Sequence, residues 1–215
     1  MKQGKLVTFE GIEGCGKSTQ MQRLSAWLSR RNRPHTCTRE PGGTDAGARI
    51  REILLSEKTG KLEPAAEVML YLADRFQHIT GVIRPHIEAG ELVLCDRYHD
   101  STLAYQGYAR GLQLEWIERI WSGSGLAVRP DLTFLFDVAP ETGISRSLRK
   151  LQASRLDESR FERESLEFHA RVRAGFLELA RLDPPRFVVI DGNSAEDTIH
   201  SEVIEIMERF MKEKV

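Results

Sequence analysis

Short apolar runs are spaced along the chain, and each has the length of a β-strand. Continuous apolar runs are typical of strands that are buried on both faces of a parallel sheet. A break at residues 32–34 also precedes a shorter candidate strand. We predict strands over residues 6–9 and 35–38 and over Leu92–Asp96, Leu132–Asp137 and Phe187–Asp191.

Between these runs, apolar residues recur every three or four positions, which is the spacing of an amphipathic helix. The first such segment starts directly after Ser18, with Met21, Leu24 and Leu28 on one face. The alternation of strands and helices predicts an α/β fold, a parallel sheet with helices on both faces and ligands at the carboxyl ends of the strands. Further helices are predicted over Asp45–Leu55, over residues 64–80, 114–121 and 164–182, and after Pro140 and Ala195.

A glycine-rich segment separates the first strand from the first helix. Gly11, Gly16, Lys17 and Ser18 fit the pattern G-x-x-x-x-G-K-[ST], whose backbone N–H groups surround phosphates while Lys reaches the β/γ oxygens and the hydroxyl binds Mg²⁺. The alternative is a strand–turn–helix with fortuitous glycines, but both flanking elements lie where the motif requires them. We therefore predict that phosphates are bound by Gly11, Ile12, Glu13, Gly14, Cys15, Gly16, Lys17, Ser18 and Thr19.

Composition excludes several classes of protein. The 215 residues suit one domain, and 31 Lys and Arg against 32 Asp and Glu indicate neither a nucleic-acid nor an anionic-membrane partner. Three cysteines without C-x-x-C spacing argue against a disulfide framework or a zinc site and favour the cytoplasm. We expect a single domain over residues 1–215 with no membrane span.

Polar residues follow two of the predicted strands. Asp96 ends an apolar run and can join a magnesium shell, and it is followed by Arg97 instead of a Glu that would activate water, which favours transfer to a bound acceptor over hydrolysis. Arg39 precedes Pro-Gly-Gly, a rigid turn that suits a bidentate grip on phosphate, although an exposed loop arginine is an equal alternative.

The predicted helix over residues 64–80 carries Tyr71 and Arg75 on one face. An aromatic ring beside a cation suits a planar base that bears oxygen atoms. Taken alone, the pair is better explained as a core tyrosine and a surface arginine.

The main basic cluster spans residues 146–163 and lacks a steady apolar stripe in its middle. We predict a mobile lid that places arginines over the transferring phosphates, with a solvated helical connection as the alternative. Phosphoryl transfer needs cationic groups beyond one lysine and one Mg²⁺, and the glycine-rich loop contains no arginine. The candidates in the lid are Arg149, Arg155 and Arg160.

In order and spacing, several segments together resemble bacterial thymidylate kinases over essentially the whole chain. They are residues 11–18, 39–44, 72–75, 96–98, 100–107 and 160–162. The resemblance implies a P-loop NTPase fold with a five-stranded parallel sheet. It further implies a cytoplasmic homodimer that transfers the ATP γ-phosphoryl group to dTMP with Mg²⁺, giving dTDP and ADP.

The resemblance also implies roles for individual residues. Tyr71, where many relatives have Phe, would stack on thymine, and Tyr105 would crowd the 2′ position. The acceptor would be held by Arg39, Tyr71, Arg75, Arg97, Ser101, Thr102, Tyr105 and Gln106. Catalysis would depend on Lys17, Glu13, Arg97, Arg155 and Arg160, with Arg149 binding ATP and with Ser18, Asp96 and Glu162 at the metal.

Two other functions compete with this one. A kinase for another nucleoside monophosphate or for a deoxynucleoside would use the same phosphate loop, aspartate and lid, although Arg39 and Arg97 favour a phosphorylated acceptor. A GTPase-like switch should carry Asn-Lys-x-Asp and Asp-x-x-Gly, and neither string occurs in the sequence.

Overall fold

The computed structural model describes residues 4–154 and 160–213. Within them, five parallel strands form one sheet in the order β2-β3-β1-β4-β5. The strands are β1 (Lys5–Glu10), β2 (His35–Arg39), β3 (Leu92–Asp96), β4 (Leu132–Asp137) and β5 (Phe187–Asp191). Each strand predicted from the sequence is present, and the parallel pairing confirms the expected α/β sheet.

Helices connect the strands and cover both sides of the sheet. They are α1 (Lys17–Arg30), α2 (Asp45–Leu55), α3 (Pro64–His78), α4 (Arg84–Glu88), α5 (His99–Thr102), α6 (Leu114–Gly123), α7 (Pro140–Ser154), α8 (Leu166–Leu182) and α9 (Glu196–Glu213). Local chemistry sets several of their starts. Thr44 caps α2 by accepting a hydrogen bond from the Gly47 N–H, and Ser165 caps α8 by accepting one from Phe168. None of the helices in the described ranges is both long and apolar enough to cross a bilayer.

Alternate residues of the central strands enter different apolar clusters. Val7 and Phe9 of β1 pack with α1, α8 and α9, whereas Leu6 packs with α3, α4 and α6. Because side chains alternate across a strand, the two clusters lie on opposite faces of the sheet. This double burial explains why the central strands are continuous apolar runs in the sequence.

The register of the sheet gathers the polar strand ends at one edge. Phe9 of β1 lies opposite Asp96 of β3, and Arg39 of β2 lies opposite Asp96 on the other side. The glycine-rich loop therefore starts at the same edge of the sheet as Asp96 and Arg39, the two residues predicted to act on phosphates or their magnesium ion.

The helix predicted over residues 64–80 continues further than expected. After α3, five residues with π-helical hydrogen bonding, Ile79–Ile83, lead directly into α4. Ile79, Ile83 and Ile87 are buried at four-residue spacing in one apolar cluster. Burial of this stripe extends the helical path past its predicted end.

The predicted lid is helical in its first half. Residues 146–154 belong to α7, and residues 160–163 form a turn before α8. Arg155 lies outside the described residues, as does Ser159, which stands where the lid motif of the resembled family often has Asp.

We predict that Gly143 is needed for α7 to pack against the glycine-rich loop. A Cβ at this position would lie 2.5 Å from the Glu13 carbonyl oxygen and 2.9 Å from Ile12 Cδ1. G143A should lower the free energy of unfolding by ~1–3 kcal/mol, as overpacking does in well-packed cores. The measurement is the midpoint of urea denaturation.

Gly123 provides the matched control, because a Cβ there meets no described atom within 4 Å. G123A should be neutral or stabilising by up to ~1 kcal/mol, since alanine favours helix more than glycine does. Equal midpoints for the two variants would contradict the predicted contact.

Candidate active site

A cavity of about 690 Å³ opens at the carboxyl edge of the sheet. Its walls come from the glycine-rich loop, the turn after β2, α3, the segment after β3 and α7. Most residues predicted for the site line it: Glu13, Gly14, Cys15, Gly16, Lys17, Ser18, Thr19, Arg39, Tyr71, Arg75, Asp96, Arg97, Ser101, Thr102, Tyr105, Gln106 and Glu162. The fold thus brings the two groups of predicted residues, for phosphate and for base, into one space.

The glycine-rich loop has the backbone of an anion-binding turn. Gly11, Gly14 and Gly16 have φ values of 136°, 67° and 102°, a region that favours glycine. Gly16 precedes α1 without a side-chain cap, so the first N–H groups of the helix are available to a phosphate. Gly11 and Ile12 do not line the cavity, and their carbonyl oxygens accept hydrogen bonds from Lys17 Nζ at 3.0 and 2.7 Å.

Two oxygen ligands for a metal ion lie together beside this loop. Ser18 Oγ donates to Asp96 Oδ2 at 2.5 Å. A hydroxyl and a carboxylate suit Mg²⁺, which usually takes one or two protein oxygens together with water and phosphate oxygens. The described residues contain no cluster of three or more His, Cys, Asp or Glu side chains that would hold a metal alone. The pair therefore fits a magnesium ion that arrives with a nucleotide.

Glu162 lies in the turn before α8 and faces the same cavity. Its carboxylate accepts a hydrogen bond from Ser147 Oγ of α7 at 2.8 Å. Burial raises the pKa of Glu162, and the nearby Glu13 carboxylate raises it further. A cation that entered between these carboxylates would favour their charged forms.

Arg97 lies between the two ends of the cavity in a strained conformation. Its φ of 65° is rare for a non-glycine residue and marks a position that the surroundings enforce. The guanidinium donates to the Gly11 carbonyl oxygen at 2.9 Å and to Glu13 Oε1 at 3.0 Å. The side chain is thereby held at the mouth of the glycine-rich loop.

Glu13 is surrounded by groups that favour its charged form. Tyr105 donates to Glu13 Oε1 at 2.6 Å, and His169 Nδ1 lies 3.3 Å from Glu13 Oε2. Burial by itself raises the pKa of Glu13, but Arg97, His169, Lys17 and Tyr105 together lower it to about 2. Glu13 is therefore a carboxylate at any physiological pH.

The far end of the cavity is lined by α3 and by the segment after β3. Arg75 is 1% exposed, and its guanidinium donates to Glu40 Oε2 at 2.7 Å and to Thr102 Oγ1 at 3.0 Å. The alternative of a surface arginine at this position is therefore wrong. Tyr71 lies one turn earlier on the same helix face and lines the cavity beside it.

Two predicted arginines lie elsewhere than expected. Arg149 is exposed on α7 and donates to the Ser145 carbonyl oxygen at 3.2 Å, away from the cavity. Arg146, one turn earlier, faces the cavity and donates to the Gly192 carbonyl oxygen at 2.9 Å. The sequence did not indicate which face of this helix meets the cavity, because residues 146–163 carry no steady apolar stripe.

Arg160 also lies away from the cavity. Its guanidinium donates to the Leu54 carbonyl oxygen at 2.8 Å and to Glu67 Oε2 at 2.7 Å, and it does not line the cavity. The structure thus pairs it with a buried carboxylate on α3 and does not place it over the phosphate loop. Arg155, the remaining lid arginine, lies outside the described residues.

Buried carboxylates were missed from the sequence. Glu40 holds Arg75 and His78, and Glu67 holds Gln106, Arg110 and Arg160. Charged residues on helices and turns are usually solvated, so these positions carried no signal. Glu10 could have been found, because it ends a buried apolar strand directly before the glycine-rich loop.

Fold and site together define the class of the protein. A parallel sheet with a phosphate-binding loop between β1 and α1, and with a carboxylate at the end of β3, is that of a P-loop NTPase.

Comparison with known proteins identifies the family. The thymidylate kinase family model matches residues 9–203. A thymidylate kinase from Solidesulfovibrio magneticus is 50% identical over 195 residues, which are 90% of this chain and 93% of that protein. One from Desulfovibrio desulfuricans is 44% identical over 210 residues, covering 97% of each. The crystal structure of thymidylate kinase from Ehrlichia chaffeensis superimposes with a TM-score of 0.76 at 33% identity, covering 96% of this chain and 99% of that one. The chain belongs to the thymidylate kinase family.

The pH dependence of stability should depend on Glu10. This buried carboxyl accepts hydrogen bonds from the Tyr98 N–H at 2.8 Å and from Ser101 Oγ at 2.6 Å. Burial and the Asp100 charge raise its pKa from 4.5 to about 7. Between those two pH values the folded chain binds more protons at Glu10 than the unfolded chain does, so this group's stabilisation is present below pH 4.5 and is lost as pH rises through about 7.

We predict that E10Q, which cannot ionise, loses less stability than the parent when pH rises from 5 to 8. Denaturant melts at both pH values measure the difference. The exposed Glu141→Gln on α7 is the control and should behave like the parent. An identical pH dependence for E10Q and the parent would show that Glu10 titrates normally.

Proposed function

We propose that the chain transfers the γ-phosphoryl group of ATP to dTMP, giving dTDP and ADP. The observation that carries this proposal is that one cavity joins a phosphate loop, through Arg97, to a pocket lined by Tyr71 and Arg75. A hydrolase or a switch has no need for the second pocket. Membership of the thymidylate kinase family supports dTMP as the acceptor that fills it.

The donor end would hold the phosphates of ATP. Backbone N–H groups of residues 13–19 would surround the β-phosphate, and Lys17 would exchange its bonds to loop carbonyl oxygens for bonds to phosphate oxygens. Mg²⁺ would be held by Ser18 and Asp96, with Glu162 facing it, and when bound it would offset negative charge on the phosphates.

The acceptor end would hold dTMP by its base and its phosphate. Tyr71 would stack on the thymine ring, while Arg75, Thr102 and Gln106 would bind the polar edge. Ser101 and Tyr105 would line the sugar, and Tyr105 would disfavour a 2′-hydroxyl. Arg39 and Arg97 would bind the acceptor phosphate, so that its oxygen points towards the ATP γ-phosphorus.

Transfer spreads negative charge over the oxygens of the moving phosphoryl group. Lys17 and Arg97 would stabilise this charge from two sides, and Glu13 would keep the guanidinium of Arg97 aimed at it. Arg155 would add a further cation. Arg160 would act from its position beside Glu67, by fixing the residues that precede α8.

Residues 146–163 would act as a mobile lid on a single domain that spans residues 1–215. Phe161 packs edge-on against Tyr105 with ring centroids 5.5 Å apart, which links this segment to the acceptor end. Closure of the lid over bound nucleotides would exclude water and favour transfer over hydrolysis.

The family resemblance further supports a cytoplasmic homodimer that contributes to dTTP synthesis. Light scattering on a size-exclusion column measures the assembly directly. A mass of about twice the chain's 24.5 kDa is the expected result.

A coupled assay with ATP and a panel of nucleoside monophosphates tests the function. We expect dTMP to be preferred modestly over dUMP, because one methyl group contributes ~1–3 kcal/mol, and more strongly over its ribo-analogue. Equal kcat/KM for dTMP and CMP would indicate a kinase of different specificity. Binding of nucleotide without transfer to any acceptor would indicate a switch.

Arg146 and Arg149 offer a matched pair on α7. R146A removes a cavity-lining cation and should lower kcat/KM for ATP by about tenfold or more, whereas R149A removes an exposed one and should change it by less than about twofold. Steady-state kinetics with saturating dTMP measure both. The reverse order of effects would restore Arg149 as the nucleotide-binding residue.

A further inference from the structure

Glu67 is a fully buried carboxylate on α3, one turn before Tyr71. Three side chains donate to it: Gln106 Nε2 and Arg110 Nε to Oε1, both at 2.8 Å, and Arg160 Nη2 to Oε2 at 2.7 Å. Building on the function proposed above, we propose that Glu67 is a positioning residue that fixes the amide orientation of Gln106. It thereby selects pyrimidines that carry N3–H over cytosine.

The orientation of Gln106 follows from the chemistry of its partner. A glutamine amide carries donors on one branch and an acceptor on the other, and a carboxylate only accepts. The NH₂ group of Gln106 must therefore face Glu67, and the opposite branch of the amide is the oxygen Oε1. Gln106 is 1% exposed and lines the cavity, so this acceptor is what the side chain offers to a bound base.

A fixed acceptor discriminates between pyrimidines. Thymine and uracil carry a hydrogen on N3, which can donate to Gln106 Oε1, whereas N3 of cytosine carries a lone pair. Arg75 lies at the same end of the cavity and only donates, so it suits a carbonyl oxygen at position 4 and not an amino group. With cytosine, the N3 lone pair would face the acceptor Gln106 Oε1, and the 4-amino group would face the donors of Arg75.

Glutamine alone would not enforce this choice. A free amide can rotate by half a turn and present NH₂ to cytosine at little cost. With Glu67 in place, that rotation would turn Oε1 towards a buried carboxylate and would leave its lone pairs opposed. Glu67 therefore supplies the repulsion against the wrong base that specificity requires.

Arg110 and Arg160 hold the Glu67 carboxylate in position. Arg110 also donates to Glu164 at 2.9 Å, and Arg160 also donates to the Leu54 carbonyl oxygen at 2.8 Å. Each arginine is thus held at a second point, and Oε1 of Glu67 is left in a fixed place for Gln106. The same carboxylate ties the residues before α8 to the acceptor pocket.

The test is Glu67→Gln, measured as kcat/KM for dTMP and for dCMP. A glutamine at position 67 can donate or accept, so Gln106 can adopt either orientation. We expect the dTMP/dCMP ratio to fall by about tenfold or more, chiefly through better use of dCMP. A merely structural role would lower both activities together and leave the ratio unchanged.

Glu164→Gln is the matched control. It makes the same chemical change in the same ion-pair network, since Glu164 accepts a hydrogen bond from Arg110, whereas Gln106 donates to Glu67. The dTMP/dCMP ratio of kcat/KM for E164Q should stay within about twofold of the parent's ratio.

A stable E67Q with the parent's ratio would overturn the inference. If E67Q does not fold, E67D retains the charge but withdraws the carboxylate from Gln106, and an unchanged ratio there would overturn it equally. A parent that phosphorylates dTMP and dCMP equally would instead contradict the proposed function. The two failures are therefore distinguishable.

Discussion

The contact between Arg97 and the glycine-rich loop is the constraint on which the site depends. Arg97 leaves the end of β3 with a left-handed backbone, and its N–H donates to the Phe9 carbonyl oxygen at 3.0 Å. Its side chain then bonds to the Gly11 carbonyl oxygen and to Glu13. The pairing of β1 with β3 thus fixes a cation relative to the loop that binds phosphate. Because the cation is in place before any ligand binds, little reorganisation is needed when charge develops.

Buried ion pairs, in addition to apolar packing, hold the acceptor pocket in shape. Arg75 is held by Glu40, while Arg110 and Arg160 are held by Glu67. Removing one partner of such a pair leaves a buried charge, which typically costs ~3–5 kcal/mol. Burying these charges costs desolvation free energy, but the donors and acceptors of the pocket cannot rotate to suit a different ligand. Selectivity for one base edge is what this rigidity provides.

The sequence predicted features that depend on neighbouring residues, but it did not predict contacts between residues far apart along the chain. The strands and the phosphate loop were predicted because apolar runs and glycine positions report on their own neighbourhoods. The partners of Glu67 lie 39, 43 and 93 residues away along the chain, and no local pattern records such pairing. The position of Arg149 relative to the cavity was not predictable for a related reason. Which face of α7 meets the cavity depends on how Gly143 packs against the loop, and that is a property of the folded chain.

Two glutamates that flank the first turn of the loop show how position sets charge. Burial raises the pKa of both Glu10 and Glu13, and Arg97 lowers both. Glu10 faces the Asp100 carboxylate, so its pKa rises to about 7, whereas Glu13 also faces His169 and Lys17, so its pKa falls to about 2. Near neutral pH, Glu13 therefore opposes the charge of Arg97 in full, whereas Glu10 opposes it only in part. Full ionisation of both carboxylates would oppose the attraction of Arg97 for a phosphate. The burial of Glu10 thus preserves the positive potential that an acceptor phosphate requires.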